Sequence, residues 1–271
     1  MRCKGTYGRR GNFSAYFGSA LLVALLSPGA SAHALHCHRD QDESLSTERP
    51  TFTNSSSVVP CRSLQIESGF LISTEHEQRG YDAPEGLLRF GLTKSDELRF
   101  TLPDYFQNYS SNGNFATGIG DLGIGVKRSL AATSSGFNLA GIFALTFPTG
   151  AQSVSSHGYD PTIQILPSQN LAANVSIATM LSVAWPTQGG SRNTIGQSSV
   201  VLDWQVKKPL DVFAEYSGSF PSTGTPQHIS DFGVLYRPSR RQQVDFWSGF
   251  GLSAAAIDHF VGVGYSVRFD L

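Results

Sequence analysis

The sequence predicts an all-β protein: a transmembrane antiparallel up-and-down β-barrel of about twelve strands. Three observations predict it. Apolar and polar residues alternate in short segments through most of the chain after residue 62. Charged residues make up only 15% of the chain, and glycines and aromatics are plentiful. Long and short connections follow one another in turn between the alternating segments.

Composition separates the main alternatives. Typical soluble domains carry about 25% charged residues, so this surface is poor in charge. A membrane helix needs about 20 consecutive apolar residues, and no stretch after residue 26 approaches that. Apolar residues are instead dispersed by alternation, which puts them on one face of a strand. The formal net charge of −1 gives no case for nucleic acid as a partner.

The first residues read as a secretory signal peptide over 1–32. MRCKGTYGRRGNF supplies Arg2, Lys4, Arg9 and Arg10, residues 15–26 are apolar, and SPGASA places Ala30 and Ala32 as a small-x-small cleavage site. Ala34-Leu35-His36 lacks the small residue expected just ahead of a lipidated cysteine. Residues 33–61 are polar and are expected to form an irregular periplasmic N-terminal tail, followed by the barrel over 62–271. Cys37 and Cys61 are an even pair in an oxidising compartment, which makes them candidates for a disulfide. His33, His36, Cys37 and His38 carry metal-ligating atoms, but no second ligand set accompanies them, so neither metal nor cofactor is expected.

The strands follow in order. LQIESGFLI sets Leu64, Ile66, Phe70 and Ile72 against Glu67; LLRFGLT sets Leu88, Phe90 and Leu92 against Arg89. ELRFTLP opposes Leu98, Phe100 and Leu102 to Arg99, and DLGIGVKRSL opposes Leu122, Ile124, Val126 and Leu130 to Asp121 and Lys127. FNLAGIFALTF, the weaker PTIQIL and NVSIATMLSVAW come next. VVLDWQV carries Asp203, VFAEYSG Glu215, DFGVLYR Asp231 and Arg237, and VDFWSGF Asp245, each opposite an apolar row. Only Arg128 sits on an apolar face, near a strand end, where the cost of charge facing lipid shrinks.

The connections EHEQRGYDAPE, PDYFQNYSSNGNFATG, PTGAQSVSSHGYD, PTQGGSRNTIG, SGSFPSTGTPQHIS and GLSAAAID alternate with KSDE, AATSSG, PSQN, KKPLD and RPSRRQ. Outer-membrane-type barrels segregate loop length in this way, whereas a soluble sandwich has no reason to. The closing segment VGVGYSVRFDL alternates to its last residue. A barrel has no free edge, so this strand is expected to pair with the first strand. Tyr265, Val267, Phe269 and Leu271 give it the texture of an assembly signal read by barrel-assembly machinery, with Leu271 where Phe is commoner.

Glu67, Arg89, Arg99, Asp121, Lys127, Asp203, Glu215, Asp231, Arg237, Asp245 and Arg268 are the candidate lumen-lining residues. They either line a polar passage or pair with one another and fill it, and both readings stay open from sequence. No catalytic assembly is expected. Ser155 and Ser156 beside His157, His228 near Asp231, and Asp258 beside His259 lack a surrounding nucleophile motif.

IGDLGIGVKRSL, ALTFPTG and GYDPTIQIL, with the later FAEYSG, DFGVLYR and QVDFWSGFGLSAAAIDHFVGVGYSVRF, resemble the outer-membrane family described as "putative meta-pathway of phenol degradation". The resemblance covers about residues 62–271. It implies a membrane β-barrel of the cell outer membrane, with membrane lipid and a small-molecule solute as partners. It also implies a transporter-like role linked to uptake of aromatic compounds, and it supplies no catalytic residues. A non-transporting structural or adhesive barrel and a secreted β-sandwich are the competing readings.

Overall fold

The computed structural model describes Cys37 and residues 44–75, 78–109 and 115–271. The expected signal peptide, and His33, His36 and His38, lie outside the described residues.

The strands in chain order are β1 (Ser63–Glu75), β2 (Gln78–Ala83), β3 (Leu87–Gly91), β4 (Asp96–Thr101), β5 (Tyr105–Tyr109) and β6 (Phe115–Ile119). β7 (Leu122–Ala132), β8 (Phe137–Phe147), β9 (Asp160–Ala172) and β10 (Val175–Ala184) follow. After the small hairpin of β11 (Thr187–Gln188) and β12 (Ser191–Arg192) come β13 (Ile195–Lys207), β14 (Leu210–Pro221), β15 (Gln227–Ser239), β16 (Gln242–Gly251) and β17 (His259–Asp270). β17 pairs with both β16 and β1, so the antiparallel sheet closes on itself.

Twelve staves make the wall among the described residues. Three of them are broken in two: β2 with β3, β4 with β5, and β6 with β7. β1 shows how such a break works, pairing with β2 over Leu71–Glu75 and with β3 over Leu64–Glu67. Pro84 and Gly86 lie in the gap, and proline has no N–H to give a ladder. Here the sequence reading needs correcting. EHEQRGYDAPE and PDYFQNYSSNGNFATG contain β2, β5 and β6, and PSQN lies inside β9, whose turn is at residues 173–174. Those segments are strand because distant neighbours complete their ladders, which local alternation does not report.

The seam runs in register from Ser63↔Asp270 to Thr74↔His259. Tyr265, Val267 and Phe269 sit in it opposite Ser68, Ile66 and Leu64, while the Leu271 N–H donates to the Arg62 carbonyl at 2.7 Å. Outward side chains are apolar all round, including Phe70, Leu202, Phe232, Phe246 and Val263. Arg128 faces outward beside Asp96 on the neighbouring stave, with Nε 3.6 Å from Oδ1.

The expected periplasmic tail is a second correction. Its described part, residues 44–60, has no regular secondary structure but lies inside the barrel, with Leu45, Glu48, Thr53 and Val59 buried. The segment enters at the short-turn end, where the Leu45 N–H donates to the Arg240 carbonyl, and returns there to set Cys61 beside Gly91. Its backbone amides and the Thr53 hydroxyl donate to carboxylates that the wall points inward, which gives a polar segment reason to be interior.

The lipid face generates a prediction. Val263→Arg, placed between Phe70 and Phe246 in the ladder, is expected to cost about 2–4 kcal/mol of stability. Denaturant unfolding of the protein refolded into bilayers measures it, and an unchanged midpoint would mean this face does not meet lipid.

Candidate functional site: a lumen divided by an internal segment

Inward positions on β1, β3, β4 and β7 carry charge. Arg89 is fully buried and makes a forked pair with Glu97, from Nε to Oε1 and from Nη2 to Oε2, both at 2.8 Å. Its Nη1 donates to Glu67 at 3.0 Å and to the Ser46 carbonyl at 2.9 Å, and its Nη2 reaches the Ser57 carbonyl at 3.0 Å. One arginine thus grips both arms of the internal segment. Glu48, from the segment, completes the cluster: its Oε1 lies 2.7 Å from Lys127 Nζ, 3.1 Å from Arg89 and 3.3 Å from Arg99.

Three carboxylates, Glu48, Glu67 and Glu97, therefore meet three cations, Arg89, Arg99 and Lys127, without surplus of either sign. Burial raises the Glu48 carboxyl, but Arg99, Lys127 and Arg89 together outweigh it and bring it from 4.5 to about 2. Glu67 Oε2 accepts the Glu48 and Arg49 N–H groups at 2.9 and 3.2 Å, and Glu97 accepts the Val59 N–H at 2.8 Å.

The opposite wall holds the tip of the segment. Glu215 accepts the Phe52 and Thr53 N–H groups, both at 2.7 Å, and also the Thr53 hydroxyl. Asn54 donates to Gln164 at 2.6 Å, and Ser56 pairs with Ser168 at the same distance. Near these contacts Val201, Phe213, Leu235, Trp247 and Phe260 form one buried apolar cluster, while Asp231 lies beside Glu215 in the ladder.

The segment splits the free volume. At the short-turn end lies a cavity of about 480 Å³, lined by Asn138, Asn174, Asp203, Asp211 and Arg237. At the long-loop end lies one of about 470 Å³, lined by Phe52, Leu71, Ile229, Trp247, Ile257 and Phe260. A further 290 Å³ space borders Phe52 and Ile229. Arg49 and Thr51 line both of the larger cavities, so they form the partition between them. Phe52 meets Phe260 edge-on at 6.0 Å.

Residues 47–269, all but the ends of this barrel and its internal segment, match the family described as "Putative MetA-pathway of phenol degradation". The chain belongs to that family. Among solved structures it is similar to an outer-membrane channel from Pseudomonas putida F1, at 13% identity and TM-score 0.63, covering 81% of this chain and 100% of that one. NanC porin is similar at 7% identity and TM-score 0.55, covering 76% and 100%, and KdgM porin at 10% and 0.53, covering 76% and 99%. At these identities the likeness is one of fold, that of the outer-membrane β-barrel. No curated protein matches the chain significantly in sequence.

In this family member the sequence-derived residues fall into distinct groups. Glu67, Arg89, Arg99 and Lys127 meet in the charged cluster. Glu215 and Asp231 are direct partners across β14 and β15, and Asp245 lies beside Arg49. Asp203 and Arg237 line the short-turn cavity, with Arg237 paired to Asp211, and Arg268 Nε lies 3.7 Å from Asp270. Asp121 is the exception: it accepts the Gly150 and Ser156 N–H groups at 2.8 and 3.0 Å and so anchors the loop 148–159. It sits where β6 breaks from β7, and the break takes it off the inward row. Cys37 and Cys61 are disulfide-bonded, with Cα atoms 5.8 Å apart. His157 Nε2 lies 3.2 Å from the Gln152 carbonyl, and His228 Nδ1 lies 2.7 Å from the Tyr216 hydroxyl.

Sequence reasoning missed Glu48, Arg49, Glu97, Asp211 and the inward apolar cluster. Glu97 was legible, since it stands two residues before Arg99 in the same alternation. Phe213, Leu235 and Trp247 were masked because their strands are apolar on both faces there.

Two predictions follow from the cluster. Arg89→Met leaves Glu67 and Glu97 buried without their main counter-ion, and should lower unfolding stability by about 3–5 kcal/mol. A cost below about 1 kcal/mol would mean the cluster is solvated like a surface pair. The depressed Glu48 contributes stability that is complete above about pH 4.5 and is lost as pH falls through about 2. Thermal unfolding of wild type should therefore drop steeply in that acid window. Glu48→Gln should flatten this part of the profile, and an identical profile would remove Glu48 from the lock.

Proposed function

We propose that this protein is a passive outer-membrane channel for small solutes, narrowed by its own residues 44–60, and that its long-loop vestibule favours aromatic or hydrophobic ones. The observation that carries the reading is the mainly apolar cavity on the long-loop side, where Phe52, Trp247 and Phe260 converge with Leu71, Ile229 and Ile257, and Glu75, Glu85 and Gln227 add polar groups. Apolar pockets with a few polar groups take up ligands of that character. The family description, which names phenol degradation, supports the same solute class, and the porin-like fold supports passage.

In this reading the short turns face the periplasm and the long loops the exterior, after export directed by residues 1–32 and insertion by barrel-assembly machinery. A solute enters among the aromatics, leaves water for apolar surface, and passes the Arg49–Thr51 partition into the polar cavity below. The protein supplies no chemistry to the solute, and diffusion down a gradient drives the flow.

Planar-bilayer conductance with phenol and a sugar as competitors tests this. Wild type should give small discrete steps that phenol reduces and the sugar does not. Phe52→Ala combined with Trp247→Ala should weaken the phenol effect about tenfold, on the scale of two lost aromatic contacts. Silence from protein shown to be inserted would favour a structural barrel sealed by its internal segment.

A further inference from the structure

Arg49 sits in a recess of the barrel wall that the solute path does not explain. Its guanidinium carbon stands 4.6 Å from the centre of the Trp247 ring. Nη1 is 2.7 Å from Glu85 Oε2, and Nη2 is 3.5 Å from Asp245 Oδ1. The floor is Gly69 and Gly264, which face each other across the seam. A Cβ on Gly69 would fall 2.1 Å from Arg49 Nη2, and one on Gly264 would fall 2.4 Å from Nε. Both positions must lack a side chain for a planar cation to lie there.

Aromatic face, two carboxylates and a bare floor make a receptor for a flat cation. The recess also holds more negative capacity than Arg49 uses. Asp245 is fully buried, and its Oδ2 has no hydrogen-bond partner among the described residues; the same holds for Arg49 Nε. A buried carboxylate oxygen left without a donor is costly, and a cation able to approach more closely than 3.5 Å would relieve it. Arg49 belongs to the internal segment rather than to the wall, and it borders both cavities.

We propose that this recess is a binding site for small solutes bearing a guanidinium group, and that Arg49 is an internal ligand which holds the partition in place until such a solute takes its position. The inference deepens the channel reading and rests on it for the entry of the solute. The site itself is defined by Gly69, Gly264, Trp247, Glu85 and Asp245. Trp247 then has two roles, an apolar wall for neutral solutes and a cation-binding face once Arg49 leaves.

The test is rescue of an emptied site. Arg49→Ala is made in full-length protein carrying Trp185→Phe and Trp204→Phe, so that Trp247 alone reports by fluorescence. Arg49→Gln, which keeps the stem, serves if the alanine variant loses heat-modifiable gel mobility. Guanidinium chloride at millimolar concentration should change Trp247 emission saturably, with sodium and tetramethylammonium at least about tenfold weaker. The parent with Arg49 in place should respond only at concentrations at least about tenfold higher, where the free cation competes the tethered side chain out of the recess, and a parent that stays silent there would overturn the displacement. Adding Asp245→Asn or Gly264→Ala to the emptied site should abolish saturation.

A guanidinium response no different from that of sodium, or one that survives both wall changes, would overturn the proposal. Binding is read without conduction, so the two readings fail separately. A silent barrel that binds guanidinium removes the channel and leaves the site, whereas a conducting barrel that does not bind removes the site alone.

Discussion

A strand with lipid on one side can send its N–H and C=O groups only to neighbouring strands. Every other feature of this molecule depends on that constraint. It requires the sheet to close, so β17 must meet β1 along an unbroken register from Ser63 to Thr74. It divides each strand into a lipid face and a lumen face by strict alternation, and it leaves a tube whose interior must be satisfied by something other than lipid. The break at Pro84 is tolerated because β1 carries the ladder past it, pairing with β2 on one side of the gap and with β3 on the other.

The interior meets this demand unevenly. On the β1–β7 side, buried charges balance only when Glu48 arrives from the internal segment to join Lys127, Arg89 and Arg99. On the β13–β17 side an apolar cluster of Val201, Phe213, Leu235, Trp247 and Phe260 is interleaved with buried acids such as Asp231 and Asp245, and Glu215 is the main polar anchor for the tip of the segment. Removing the segment would strip counter-charges from one wall and hydrogen-bond donors from the other. Wall and segment are therefore parts of one folding unit, and the disulfide between Cys37 and Cys61 fastens the segment near its exit.

This asymmetry sets what each cavity offers a solute. The long-loop side presents aromatic rings and aliphatic side chains together with Glu75 and Glu85, while the short-turn side presents amides and mixed charge. Between them Arg49 and Thr51 are polar, and Arg49 is held by wall residues rather than by its own segment. Its hold combines a cation over Trp247 with carboxylates from two directions, all of which depend on charge rather than shape. A partition held in that way responds to competing cations, whereas one held by apolar packing would respond to volume.

The sequence by itself determined the barrel. The rows Leu64–Ile66–Phe70 and Val261–Val263–Tyr265 are periodic over short range, and short-range periodicity is what fixes a strand's two faces. It also determined most of the charges that point inward, because a charge opposite an apolar row has one place to go. Only the tertiary structure decided what those charges meet. Glu48 and Arg49 stand in a stretch without periodicity, and their partners lie as far along the chain as Asp245. Asp121 left the inward row because a stave breaks beside it, and Trp247 turned inward over Gly262 although its strand is apolar on both sides. Alternation records which way a side chain points, but a lumen contact joins residues from opposite walls, and no local pattern carries that information.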